Sequence, residues 1–72
     1  MPGSSSVIIK DDDILGGVPV FRNTRVPFLA LIDYLEGGQT LDEFLSDFPT
    51  VTREAAIAAL EQAKLLVMAQ LL

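Results

Sequence analysis

The sequence predicts a mainly α domain: three helices with helix-turn-helix spacing, preceded by short β-strands and a hairpin. Three observations predict it. The hydrophobic pattern changes from extended to helical at Pro27; a capping box at Thr40–Glu43 opens a second helix; and Pro49 stops that helix shortly before a fresh start at Thr52.

Residues 1–6 are small and polar and read as a flexible tail, leaving residues 7–72 as one domain. Val7-Ile8-Ile9 is a short β-branched run, a candidate strand, closed by Lys10 and Asp11-Asp12-Asp13. Ile14-Leu15 follows as a core pair and leads into Gly16-Gly17, which can take backbone angles that other residues avoid. Val18–Phe21 and Thr24–Val26 are extended in character. Arg22-Asn23 between them suits a tight hairpin, because Asn tolerates a left-handed turn position. Pro19 belongs at an edge or a strand end. Such a ribbon is marginal alone and needs a third strand, a helix face or a partner chain.

Pro27 suits the first helical position, where its missing N–H would be unpaired anyway. Phe28, Leu31, Ile32 and Leu35 then form a one-sided apolar stripe, ended by Gly37-Gly38. In the second helix Thr40 accepts from the third N–H and Glu43 reaches back to the cap. Its stripe is Leu41, Phe44, Leu45 and Phe48. Thr52 is the N-cap of the third helix, with Glu54 favoured near its positive end. No Gly or Pro interrupts residues 53–72, so that helix can run to the end.

A chain of 72 residues holds a thin core, and it has neither cysteine nor histidine to add a disulfide or a zinc site. The remaining support is a second chain, and a homodimer is expected. Ten acids against five bases give a net charge of −5, which disfavours unaided binding to phosphates. No apolar run approaches the roughly 18 residues of a membrane span, and the N-terminus has no signal-peptide pattern, so a cytoplasmic location is expected.

Catalytic patterns fail in turn. Asp11-Asp12-Asp13 starts like a calcium loop, but Leu15 and Arg22 occupy positions that need oxygen ligands. Gly16-Gly17 lacks the phosphate-loop pattern, and no histidine activates a serine. No enzyme activity, catalytic residue, metal, cofactor or small-molecule substrate is expected.

The candidate DNA-binding residues are Arg22, Arg25, Arg53 and Gln62. The first two precede the first helix, as a minor-groove arm does, and the others lie on the third helix. Against this, Glu54 and Glu61 repel phosphate, and the arginines can instead tie the ribbon to Asp12, Asp13 or Asp33. The end of the third helix speaks more clearly. Between residues 65 and 72 the only polar side chain is Gln70. A helix apolar on every side must be surrounded. Leu65, Leu66, Val67, Met68, Leu71 and Leu72 are therefore expected to bind a partner; full burial in their own domain is the alternative.

The run from Asp13 to Pro27, D-I-L-G-G-V-P-V-F-R-N-T-R-V-P, followed by Leu35-Glu36-Gly37-Gly38 and a Phe-Pro-x-x-Thr turn, resembles domain-of-unknown-function family 433, over about residues 8–66. Gly16, Gly17, Pro19, Thr24, Arg25 and Pro27 are its motif positions here. The resemblance implies a homeodomain-like helix-turn-helix fold. It also implies a VapB-like antitoxin that binds and neutralises a PIN-like ribonuclease toxin, with repression of its own operon as a further role. Two positions depart from the pattern: Val18 stands where a basic residue is common, and Asn23 where glycine is expected. Three functions are thus in competition: an antitoxin-like interaction protein, a helix-turn-helix regulator that binds operator DNA, and a stand-alone dimeric scaffold.

Overall fold

The computed structural model of the chain describes residues 6–71. It is a small, mainly helical domain with a short antiparallel ribbon. The elements are β1 (Ile8–Ile9), β2 (Val20–Phe21), α1 (Phe28–Glu36), α2 (Leu41–Asp47) and α3 (Arg53–Leu71). Within this one chain, Ile8 pairs with Phe21 and Ile9 with Val20. On its other edge β2 meets the approach to α1. The Phe21 N–H donates to the Val26 carbonyl at 2.9 Å, and Val20 forms a bridge with Pro27. The hairpin read from residues 18–26 is present in this abbreviated form, leaning on β1 as its third strand. Its turn closes through Thr24 N–H to the Phe21 carbonyl, 3.0 Å, with Asn23 left-handed at φ 65°.

The residues 15–17 turn is left-handed throughout: Leu15, Gly16 and Gly17 have φ of 52°, 67° and 93°. Glycine carries such angles without cost, whereas leucine pays a steric penalty. Leu15 is also 46% exposed, so the expected core pair is really one half-buried residue, Ile14, and one exposed one. The triple aspartate before it turns on itself, the Asp11 carboxylate accepting from the Asp13 N–H at 2.8 Å.

Pro27 is the cap of α1 rather than its first residue: its ψ of 142° is extended because it still bridges to Val20. Of the α1 stripe Leu31 is buried, Phe28 and Ile32 are half-buried, and Leu35 sits at the exposed rim. Gly38, at φ 89°, turns the chain out of the helix. The capping box of α2 forms in full, with Glu43 N–H to Thr40 Oγ1 at 3.1 Å and Thr40 N–H to Glu43 Oε1 at 2.8 Å.

All five aromatic side chains gather in one cluster between ribbon, α1 and α2. Phe44 is its centre, with ring centroids 4.9 Å from Phe48, 5.4 Å from Tyr34 and 6.1 Å from Phe21. Val26, Leu31, Val51, Ala56 and Ala59 complete the core. The small side chains Ala56 and Ala59 let α3 approach closely, but they are its only buried residues. The radius of gyration is 12.5 Å, where a compact chain of this length would have about 11 Å. The excess comes from α3, which runs on past the core.

The expected tail, residues 1–6, lies outside the described residues except for Ser6. That residue is tied in: Ser6 Oγ donates to the Ile8 carbonyl at 2.8 Å, and its own carbonyl accepts from Arg22 Nε at 2.8 Å.

Candidate functional site

Helix α3 has 19 residues, against nine in α1 and seven in α2. The shorter helices cover its first turns and cannot reach its last ones. Beyond Ala63 every described residue is exposed. Leu65 is 61% exposed, Leu66 70% and Leu71 77%, with Val67 and Met68 also bare; Leu72 lies outside the described residues. The only charge on this stretch is Lys64, which pairs with Glu61. Five leucine-sized side chains on one projecting helix make an apolar surface of the kind that marks an interaction site. Full burial within the domain, the alternative left open by the sequence, does not occur.

Beside this helix lies an open apolar groove of about 330 Å³. Ile9, Pro19 and Phe28 face Ala59, Ala63 and Leu66 across it, with Ser6, Lys10 and Gln62 at its margin. The groove exists because Ala59 and Ala63 are too small to fill the space between α3 and the ribbon. Its mouth is continuous with the bare helix end, since Leu66 belongs to both.

The four candidate DNA-binding residues do not form one surface. Gln62 Nε2 donates to Ser6 Oγ at 3.3 Å, so Gln62 and Arg22 converge on Ser6. Arg53 pairs with Asp42, joining the start of α3 to the start of α2. At 100° per residue, Arg53 and Gln62 project from opposite sides of α3. Arg25 is exposed at a separate hollow that also includes Asp11 and Ile14. The carboxylate taken by Arg53 is Asp42, not one of the three that the sequence suggested.

The motif residues build the scaffold. A side chain on Gly17 would place its Cβ 3.0 Å from Asp12 Oδ1, on a backbone that is already left-handed. Thr24 pins the turn from both sides, its hydroxyl donating to the Phe21 carbonyl at 2.8 Å and accepting from the Val26 N–H at 3.0 Å. The Pro19 carbonyl accepts from the Phe28 N–H at 3.0 Å, and Pro27 caps α1. Gly16 carries its left-handed angle with open space around it.

Sequence patterns did not reveal the Tyr34–Asp47 hydrogen bond, 2.6 Å, which staples α1 to the end of α2. That bond, which needs the phenol protonated, pushes the Tyr34 pKa above its usual 10.0, helped by desolvation and by the Asp47 and Glu43 charges. They also missed Ile57, 52% exposed, which lies in line with Met68 eleven residues on, three helical turns away. The signal was present in that spacing. Among the described residues no cluster of acidic, histidine or cysteine side chains could hold a metal ion, and no helix is long and apolar enough to cross a membrane.

A family model described as "Protein of unknown function (DUF433)" matches residues 8–63. The chain belongs to the DUF433 family. This DUF433 domain is also similar to the crystal structure of a DUF433 member protein from Anabaena variabilis, at 30% identity and a TM-score of 0.72. The similarity covers 83% of this chain and 59% of that one, so the domain spans little more than half the length of its structural relative. No curated protein matches it. The family match ends at Ala63, and the bare apolar residues begin just beyond, at Leu65.

Proposed function

We propose that this DUF433 protein is an antitoxin-like interaction protein that captures and neutralises a PIN-like ribonuclease. The observation that carries the proposal is the bare end of α3, apolar on every side and exposed among the described residues. A helix end of this kind supplies anchors for a partner's pocket, as an amphipathic helix does in a groove. The net charge of −5 complements a basic RNA-binding cleft and speeds encounter with it. Nothing in the site suggests chemistry of its own. Autoregulation through DNA ranks second, since Arg53 is engaged by Asp42 and projects away from Gln62.

Co-expression with the neighbouring gene's product tests the proposal. A small basic nuclease should arrest growth alone and be silenced by this chain, and the two should purify together. Leu65→Asp with Met68→Asp should abolish silencing while the circular dichroism stays native. Full silencing by that variant, or no nuclease bound to the native chain, would refute it.

A further inference from the structure

We infer that the β1–α3 groove is the seat for the α3 end of a second copy of this chain, so that two copies exchange helix ends about a two-fold axis. Each copy carries both halves of the contact, a helix end that no described residue covers and a groove that no described residue fills, on the same face of the same helix. Taking Ala59 as reference, Gln62, Ala63, Leu66, Val67 and Gln70 all lie within about 80° of it around α3. Ile57, Leu65 and Met68 lie on the other side.

An antiparallel crossing midway between Lys64 and Leu65 pairs this face with itself. It sets Leu66 of one copy on Ala63 of the other, Val67 on Gln62, and Gln70 on Ala59. Large side chains thereby meet small ones, the condition for close helix approach. A two-fold contact of this type uses the same patch on both partners and closes without leaving a free end.

Charge favours a second copy. On this face Leu66 and Val67 together expose on the order of 200 Å², about a quarter of the roughly 800 Å² that each partner gives to a standard interface. The groove, with its exposed Pro19 and half-buried Ile9 and Phe28, adds a mostly apolar surface beside them. The chain is acidic overall, yet the groove's only charged lining residue is Lys10, and the helix end carries only the Lys64–Glu61 pair. Repulsion between two acidic copies is thus kept away from where they touch. A basic partner would find no acid on this face, because the acids of α3, Glu54 and Glu61, lie on its other side. The other side of α3, with Ile57, Leu65 and Met68, stays open for a different neighbour.

Light scattering on the full chain alone tests this, with no nuclease present. The native chain should show twice its 7.8 kDa mass. Leu66→Asp should halve that mass, while Met68→Asp, on the other side of the helix, should leave it doubled. Because Leu66 is 70% exposed, its substitution leaves the fold intact, and circular dichroism checks this. The chain has no cysteine of its own, so a mixture of Gln62→Cys and Val67→Cys chains should oxidise mainly to the mixed disulfide. A Gln62→Cys and Met68→Cys mixture should not. A monomeric native chain, a dimer broken by Met68→Asp but not Leu66→Asp, or crosslinks without preference for the 62–67 pair would each overturn the inference.

Discussion

Truncating Phe44 to alanine should cost this domain most of its stability. The side chain is fully buried and touches three other rings, Phe21, Tyr34 and Phe48, from the middle of the only aromatic cluster. Removing a buried phenyl group costs about 3–5 kcal/mol, from lost transfer energy and the cavity left behind. The three ring contacts place Phe44 at the upper end of that range. A 72-residue domain has about 4–11 kcal/mol in total. Urea unfolding, followed by circular dichroism and by the fluorescence of Tyr34 against that ring, measures the difference. With a slope of about 1 kcal/mol per molar for a chain this small, the midpoint should fall by about 3 M or more. The loss should be the same at low and high protein concentration, because Phe44 holds the subunit and not an assembly. A loss below about 1 kcal/mol would refute the packing argument, since among the described residues no polar or charged side chain is buried to compensate.

Three further outcomes follow from local features. Thr40→Ala removes the acceptor for the Glu43 N–H and should cost about 1 kcal/mol in the same urea assay; no loss would mean that the capping box adds nothing to α2. Leu15→Gly relieves a left-handed leucine, a gain of about 1–2 kcal/mol set against about 0.4–1 kcal/mol of added chain entropy, so the midpoint should rise slightly. A fall would show that Leu15 packs better than its exposure suggests. The Tyr34 pKa is raised by its bond to Asp47, so its stabilisation is complete below the ordinary pH 10 and is lost as pH climbs past the folded value. As the chain's one tyrosine, Tyr34 can be followed by phenolate absorbance; it should ionise above pH 10 in the folded chain, and Asp47→Asn should lower that point.

Much of this fold was legible because helix signals are local. The Thr40–Glu43 box, the Pro49 stop and the Gly37-Gly38 exit each act within a few residues, and each appears where the sequence put it. The ribbon was less legible because its partners are distant. Val7-Ile8-Ile9 looked like a strand, but only the folded chain shows that its mate is β2 and that Pro27 is held extended by Val20. Ser6 carries no propensity that would announce its bonds to Arg22 and Gln62. The bare end of α3 was readable from Leu65 onward, because no arrangement of two short helices could cover it. The groove was not, since it is a gap between residues 9 and 59, and gaps leave no mark in a one-dimensional pattern.

The DUF433 match ends at Ala63, and the exposed apolar end of α3 comes after it. Every residue from Leu65 to Leu71 is exposed, and none of them belongs to the core. Foldedness and sociability are separable here. On the reading proposed above, substitutions at these exposed positions alter what α3 meets and leave the core packing as it is.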